Sequence, residues 1–346
     1  VKQLKNKVNR AAPVDTSIAD EKLVQGVRDY LPFVDQGITE EVDLDMLLQF
    51  MLSDNPKNQL EAQNGSAINY LPARHIKMSV DRENVLKYNV VPKNWESHIV
   101  DEMTWEYSGN YVTRAELALL GIIRANNWKR PIYFTNYTPL DKMAGLSKYL
   151  VEEGLVKKLM PVRMDGPRVE KPQELVHVDR LYVHATRTFA WGNYATQRFV
   201  DVDSRNYMEN FVLPDVYART VQLLSAQGDL RRAKEVAIKA AKLLPTRTYD
   251  AKEAYHYGSI VDTLYKSKEI EAADRIVDRH MQFLADNFDY VDALARDKPE
   301  AVDVRSVQFA FAALEQYRSI LSSSQKDLYA SVDHLYHRYR NRFFQK

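Results

Sequence analysis

The sequence contains no cysteine among its 346 residues. This absence excludes disulfide scaffolds, thiol nucleophiles and metal sites built from thiolates. The formal net charge is only +1, which excludes the strong positive field expected of a nucleic-acid-binding protein. We therefore predict that nucleic acid is not a partner of this chain.

Long hydrophobic runs are also missing. The longest apolar stretch runs from 117 to 123, far short of the roughly 20 residues that cross a bilayer. The basic start at 1–7 is not followed by the apolar segment of a signal peptide. Because the first residue is not methionine, we interpret the chain as a piece of a longer parent protein.

The short motifs of the common catalytic centres do not occur. The sequence has no G-x-S-x-G, P-loop, G-x-G-x-x-G or H-E-x-x-H pattern. His334 and His337 share one face of a predicted helix, but no acidic third ligand stands at a suitable spacing. We predict no metal, no cofactor and no catalytic residue in this segment.

Helix and strand patterns alternate in the first half. An apolar stripe after Thr39 predicts a helix that starts there and contains Leu44, Leu47, Leu48 and Met51. A capping box at Thr113 precedes a second helix, and 131–135 has the composition of a buried strand. A helix at 143–153 and a strand at 155–162 are predicted to repeat this order. The pattern indicates an α+β lobe with a small sheet.

The composition changes near the middle of the chain. Prolines at 161, 167 and 172 surround Gly166, a combination typical of a loop between structural units. We predict a linker at 161–172. It separates a mixed α/β domain at 1–165 from an all-α domain at 173–346.

The second half carries a helical-repeat pattern. With Gly228 at the turn, small and apolar residues fall on facing sides of a tetratricopeptide-like helix pair. Lys268 takes the same place in a second copy, and two further helices are predicted at 302–320 and 325–343. The residues predicted to pack within the repeats are Tyr217, Leu224, Gly228, Ala233, Ala240, Tyr257, Leu264 and Ala273. Ordinary antiparallel helices that use small residues are the alternative interpretation.

Two segments combine an aromatic ring with amide side chains, a combination suited to sugars and their phosphates. The predicted ligand-binding residues are Asn126, Asn127, Trp128, Lys129 and Arg130, with Trp191 and Asn193 as a second platform. The structural alternative for 126–134 is a helix end, a tryptophan that covers a sheet edge, and a strand. The sequence leaves both interpretations open.

The same segments resemble a known family. The motifs are Asn-Asn-Trp-Lys-Arg-Pro-Ile-Tyr-Phe at 126–134 and Phe-Ala-Trp-Gly-Asn at 189–193, together with 145–146, 153–155 and 159–161. The segments 29–33 and 70–72 fit as well. They resemble the soluble C-terminal region of large Bacteroidetes membrane proteins, known as domain-of-unknown-function family 2723. That family is described as similar to protein O-mannosyltransferases.

The resemblance implies that a multi-pass membrane portion precedes this segment in the parent protein and is its partner. The acidic catalytic residues of a lipid-linked-sugar transferase would lie in that portion. The resemblance also implies that this chain faces the periplasm and binds acceptor polypeptide or glycan as a non-catalytic accessory domain. It transfers no catalytic residue to this chain, because none of the matching motifs has a known chemical role.

Two other functions remain open from the sequence. A stand-alone repeat scaffold of the cell envelope would use the concave surface of its helix pairs to bind proteins. An independent carbohydrate-active enzyme would need two carboxylates about 5–10 Å apart in a cleft. The candidates for that pair are Asp101, Glu102 and Glu106, near Trp105.

Overall fold

The chain forms two compact units. The computed structural model describes residues 30–61, 65, 67–136, 138–139, 142–163, 175–197, 199–245, 247–322 and 326–344. The first unit contains the described residues up to Glu152 and those from Val156 to Val176. The second contains Glu153–Leu155 and the described residues from His177 onwards. The predicted linker at 161–172 lies largely outside the described residues, so the predicted domain boundary stays a prediction.

The first unit is built from short strands and three helices in its described part. The strands are β1 (Tyr30–Pro32), β2 (Val42–Asp43), β3 (Leu60–Glu61), β4 (Ala67–Ile68), β5 (His75–Ser79), β6 (Glu102–Glu106), β7 (Tyr111–Thr113), β8 (Tyr133–Thr135), β9 (Leu150–Glu152), β10 (Val156–Leu159) and β11 (Leu175–Val176). The helices are α1 (Leu44–Met51), α2 (Arg82–Lys87) and α3 (Arg114–Asn126).

Two small sheets form the centre of this unit. One has the order β2-β5-β6, in which β5 pairs in parallel with β2 and antiparallel with β6. The other has the order β11-β9-β10-β8 and is antiparallel except for the pair of β11 and β9. Their inward side chains pack with α1 and α3 into one core, with Ile76, Met103, Leu117 and Val151 completely buried.

The capping box at the start of α3 is confirmed. The Thr113 hydroxyl accepts a hydrogen bond from the backbone N–H of Glu116 at 3.2 Å. The Glu116 carboxylate accepts one from the backbone N–H of Thr113 at 2.8 Å. These reciprocal bonds satisfy two donors that the first helical turn would otherwise leave unpaired.

Two predicted helices of this unit are wrong in extent or type. α1 begins at Leu44 rather than at Thr39, because Asp43 accepts a hydrogen bond from the backbone N–H of Asp45 and ends β2 at that point. The helix predicted at 143–153 is absent. Gly145 lies in the left-handed region at φ 81°, a short 3₁₀ turn follows at Leu146–Tyr149, and the chain continues as β9.

The second unit is helical in its described part, and this confirms an α-helical lobe after the α+β lobe. Its helices are α4 (Val178–Val183), α5 (Val202–Tyr207), α6 (Arg219–Ala226), α7 (Leu230–Ala241), α8 (Ala251–Lys266), α9 (Ile270–Asp297), α10 (Val304–Leu321) and α11 (Lys326–Tyr339). Wide π-helical turns occur at His184–Thr188, Met208–Ala218 and Arg340–Phe344.

Two helix pairs repeat the same turn geometry. Gly228 joins α6 to α7 with φ 78°, and Lys268 joins α8 to α9 with φ 62°. Space is open around Gly228, which explains how a residue with a side chain occupies the equivalent position. The residues assigned to repeat packing lie in the core: Tyr217, Leu224, Ala233, Ala240, Tyr257, Leu264 and Ala273 are at most 2% exposed.

Candidate ligand-binding cleft

A cleft of about 510 Å³ opens in the second unit between the loop that follows Trp191 and helix α5. We call it the aromatic cleft. Its lining residues are Trp191, Asn193, Tyr194, Gln197, Phe199, Val200, Asp201, Ser204, Tyr207 and Met208. Aromatic faces therefore alternate with amide, carboxylate and hydroxyl groups, the lining expected of a site for a small ligand with both apolar and polar surface.

Trp191 is held in a fixed orientation at one side of the cleft. Its indole N–H donates a hydrogen bond to the hydroxyl of Tyr217 at 2.8 Å. The ring of Phe189 meets the indole edge-on, with ring centroids 5.4 Å apart. Tyr217 is itself completely buried, so the half-buried indole rests on a rigid support and presents its remaining surface to the cleft.

The lining of the cleft also carries charge and an exposed ring. Asp201 caps α5 by accepting a hydrogen bond from the backbone N–H of Ser204 at 2.9 Å. Hydrogen bonds from the side chain and backbone of Ser204 hold the pKa of Asp201 below its usual range, so it is a carboxylate at neutral pH. Phe199 is 71% exposed, an unusual degree of exposure for a large aromatic side chain.

A buried carboxylate lies behind the cleft. Glu209 is 3% exposed, and its Oε1 atom has no hydrogen-bond partner among the described residues. Burial, reinforced by the negative charges of Glu253 and Asp250, raises the pKa of Glu209 from its ordinary 4.5 to about 7. Arg205 and Lys252 act in the opposite direction.

Glu209 lines a small cavity of about 20 Å³. This Glu209 cavity is otherwise apolar, with walls from Leu213, Tyr217, Ala240, Leu243, Pro245 and Tyr257. Tyr194 and Met208 line both the Glu209 cavity and the aromatic cleft. Burial and the charges of Glu253 and Glu209 raise the pKa of Tyr194, consistent with its position between the cleft and the carboxylates.

A second polar group lies deeper in the same unit. His280 Nε2 is 3.0 Å from Oε1 of Glu253, and His280 Nδ1 is 2.6 Å from the hydroxyl of Tyr317. The hydroxyl of Thr248 donates to the same Glu253 oxygen at 3.0 Å. His280, Glu253 and Tyr317 are at most 2% exposed, and none of them lines the aromatic cleft. The group therefore holds α8, α9 and α10 together in the core.

The sequence interpretation did not find this buried group. Its signal was the position of His280 in the apolar stripe of α9, which also contains Ala273, Ile276, Val277, Leu284, Phe288 and Val291. A histidine at an inward position of such a stripe must find partners within the protein, because a buried polar group without a hydrogen bond is costly.

Trp128 is not an exposed ligand platform. Its side chain is 4% exposed and belongs to the core of the first unit. Asn126 donates to the carbonyl of Arg130 at 2.7 Å and accepts from its N–H at 3.1 Å. Asn127 donates to Asp81 at 2.9 Å. Asn126 thus closes the turn after α3 and Asn127 ties it to the residue that caps α2, while Lys129 and Arg130 are exposed.

Trp191 and Asn193, the other predicted ligand residues, lie together in the aromatic cleft. They belong to the second unit, whereas 126–130 belongs to the first. The residues that the sequence interpretation missed are Tyr194, Phe199, Tyr207 and Glu209.

Two of the three candidate catalytic carboxylates of the first unit, Glu102 and Glu106, are held apart by the strand that carries both. Glu102 and Glu106 are both exposed at opposite ends of β6, where four residues of strand separate the Cα atoms by about 13 Å. Glu102 instead pairs with Lys77 at 3.8 Å, and Trp105 is buried at 3% exposure.

A larger and more polar groove runs along α9. Its volume is about 830 Å³, and its lining residues are Arg247, Thr248, Glu271, Asp274, Arg275, Asp278, Arg279, Gln282, Phe283 and Asp286. Burial, followed by repulsion from Asp274, raises the pKa of Asp278. The groove thus presents both signs of charge along one helix face.

Over the described part of the chain, no group of three or more acidic or histidine side chains is arranged to hold a metal ion. Over the same residues, no helix has both the length and the apolar character needed to cross a membrane.

Comparison with known proteins found one family model, which matches the first half of the chain. A family model described as TMEM260-associated domain 2 matches residues 1–180. No curated protein and no solved structure gives a match. The aromatic cleft begins at Trp191 and so lies beyond the matched residues. Since the match covers more than half of the sequence, the chain belongs to the family of TMEM260-associated domain 2.

Proposed function

We propose that this chain is a non-catalytic, extracytoplasmic accessory domain of a multi-pass membrane glycosyltransferase-like protein. In the proposal it lies on the periplasmic side of the membrane, next to the membrane portion of its parent, and its aromatic cleft binds a glycan of the acceptor. The family name, which links the domain to TMEM260, and the resemblance of the sequence to family 2723 support this assignment.

The observation that carries the proposal is the composition of the aromatic cleft. A sugar ring has faces made of C–H groups and an edge of hydroxyl groups. Trp191 and Phe199 offer aromatic surface to such faces, and Asn193, Gln197 and Asp201 offer donors and acceptors to the hydroxyls.

The first experiment measures glycan binding by the purified chain. It would be screened against oligosaccharides that end in hexoses, N-acetylhexosamines, pentoses and hexuronic acids, and hits would be quantified by calorimetry. Replacing Phe199 with Ala removes one aromatic face, worth about 0.5–1.5 kcal/mol in aromatic pairs, and should weaken binding several-fold to about tenfold.

A matched control is available on another surface. Tyr290 is 66% exposed, close to the 71% of Phe199, and lies on α9 outside the cleft. The Tyr290→Ala variant should bind glycans as the unchanged chain does. Absence of binding to every glycan, or equal losses for the two variants, would contradict the assignment of the cleft.

The accessory role is tested separately from glycan binding. The reading frame upstream of Val1 should encode several membrane spans, and the purified chain should neither hydrolyse nor transfer sugars by itself. A parent gene without such spans would argue against the role, and turnover of a glycoside by the purified chain would favour an independent enzyme.

A protein-binding scaffold is the second candidate, and the groove along α9 is the observation that favours it. Carboxylates at Asp274, Asp278 and Asp286 beside Arg275 and Arg279 suit the mixed charges of a polypeptide segment. A salt-sensitive partner recovered from envelope extracts, and lost after charge reversal at Asp278 and Asp286, would support this function. Retention of the partner by the Phe199→Ala variant would separate it from the cleft.

A further inference from the structure

Glu209 is a carboxylate of the second unit whose hydrogen bonds the described residues leave incomplete. Its carboxylate is almost fully buried, yet Oε1 has no hydrogen-bond partner among the described residues. A buried acceptor without a donor costs about 1–3 kcal/mol. Such a cost is tolerated where the group meets a ligand or a bound water in the working protein.

The Glu209 cavity has room for one small group. Its volume of about 20 Å³ exceeds the roughly 10–15 Å³ that one water molecule needs. Apart from Glu209, its walls are mostly aliphatic and aromatic surface from residues such as Leu213, Leu243 and Tyr257. The cavity therefore fits a group that has a short apolar stem and one hydrogen-bond donor.

Two side chains connect the Glu209 cavity to the aromatic cleft. Tyr194 and Met208 line both spaces. Methionine is unbranched and changes rotamer readily, so a rotamer change at Met208 would join the cavity to the cleft. A substituent of a sugar held against Trp191 can then project inward towards Glu209.

We infer that Glu209 forms an inner subsite of the aromatic cleft that recognises the hydroxymethyl arm of a hexose by accepting a hydrogen bond from its hydroxyl. This inference rests on the proposed glycan binding, and it names the sugar group that the cleft would recognise. The methylene meets the apolar walls, and the hydroxyl supplies the donor that Oε1 lacks. A hexuronic acid carries a carboxylate at the same position, and the nearby Glu253 and Asp250 add to its repulsion by Glu209.

The test is run at pH 8, where Glu209 is a carboxylate, and compares four probes that share one linkage and differ only at this arm. They are the methyl glycosides of a hexose, of its 6-deoxy form, of the matching pentose and of the matching hexuronic acid. The unchanged chain should bind the hexose at least tenfold more tightly than each of the other three. The 6-deoxy form is rejected because it leaves Oε1 unpaired, and the acid is rejected because it places two carboxylates together.

The Glu209→Gln variant has nearly the same shape but no charge. It should bind the hexuronic acid at least tenfold more tightly than the unchanged chain does, and thus lose its discrimination against it. Glu315→Gln is the control, because Glu315 is exposed on α10. This control should leave all four affinities unchanged.

The outcomes separate the two proposals. If no probe or longer glycan binds, or if Phe199→Ala has no effect, both the glycan site and the inner subsite are overturned. If the hexose binds through Phe199 but the four probes bind equally to the unchanged chain, only the inner subsite is overturned. The comparison of probes needs no variant, so it stands even if Glu209→Gln fails to fold.

Discussion

The burial of Glu209 predicts an unusual dependence of stability on pH. Between pH 4.5 and 7 the folded protein keeps a proton that the unfolded chain has already released, because the pKa is raised to about 7 in the fold. The stability associated with this group is complete below pH 4.5. It falls as the pH rises and is fully lost above about pH 7. This direction is opposite to that of carboxylates held in ion pairs.

The size of the effect follows from the same difference. A pKa of about 7 against the ordinary 4.5 corresponds to about 3 kcal/mol between the two protonation states. Because Glu209 is only 3% exposed, solvent screening reduces this value little, and we expect about 2–3 kcal/mol. The Glu209→Gln variant, which cannot ionise, should exceed the unchanged protein by this amount at pH 8 and match it near pH 4.

The assay is urea denaturation at several pH values between 4 and 8. Far-UV circular dichroism is the appropriate signal, since the long helices of the second unit dominate it. Plotting the difference between Glu209→Gln and the unchanged protein removes the contributions of all other titrating groups, and Glu315→Gln should give a flat difference. A difference that stays constant from pH 4 to pH 8, or that grows towards low pH, would refute the reasoning.

Three further predictions concern other residues. Gly145→Ala should lower the free energy of unfolding by more than about 3 kcal/mol, because the added Cβ would lie 2.2 Å from the carbonyl oxygen of Glu106 and the backbone has a left-handed φ of 81°. Gly228→Ala is the control. Space is open around Gly228, so this variant should lose only about 1 kcal/mol in the same urea assay. Trp128→Ala should lose about 3–5 kcal/mol as a buried aromatic, and a loss below 1 kcal/mol would restore its interpretation as a surface residue. Burial, followed by the charge of Lys252, lowers the pKa of His256 from 6.5 to about 4. The stability that the neutral imidazole of His256 contributes is therefore present above pH 6.5 and is lost as the pH falls towards 4. After allowance for partial exposure, we expect this loss to be about 2 kcal/mol. Melting curves of the His256→Phe variant should not show it.

Several elements of the fold were predictable because local chemistry alone determines them. The capping box of Thr113 and Glu116 depends on two side chains three residues apart, and the structure shows both hydrogen bonds. The turn at Gly228 was predictable from the glycine and from the small and apolar residues on both sides of it. Lys268 was harder to identify as its equivalent, since lysine seldom adopts a positive φ. Only the apolar positions around it indicated the second turn.

The failures have a different cause, namely contacts distant in sequence. The helix predicted at 143–153 gives way to β9, because Leu150 and Val151 pair with β10 and no local pattern specifies that partner. Trp128 was predicted to bind a ligand because amides and cations surround it in the sequence. Its own ring, however, enters the core at a left-handed backbone position.

The segment before α6 shows how the sequence places a charged residue in the core. Pro214 has no N–H to donate and its ring crowds the preceding turn. The backbone N–H of Arg219 donates to the carbonyl of Pro214, five residues back, and the segment 208–218 adopts wide π-helical turns. The buried positions recur every four residues: Met208, Val212, Val216 and Thr220 form one row, and Glu209, Leu213, Tyr217 and Val221 form the next.

An ordinary helix advances 100° per residue, so a period of four would drift 120° over twelve residues and turn one end of each row towards solvent. Wide turns advance less than about 100° per residue and so oppose this drift, and Glu209 stays buried in the same row as Tyr217 and Val221. A carboxylate in such a row is buried because the apolar residues of the whole segment pack into the core, although the carboxylate itself is better solvated by water. Ordinary packing selects against this placement, and its presence beside the aromatic cleft is what the proposed ligand role of Glu209 requires.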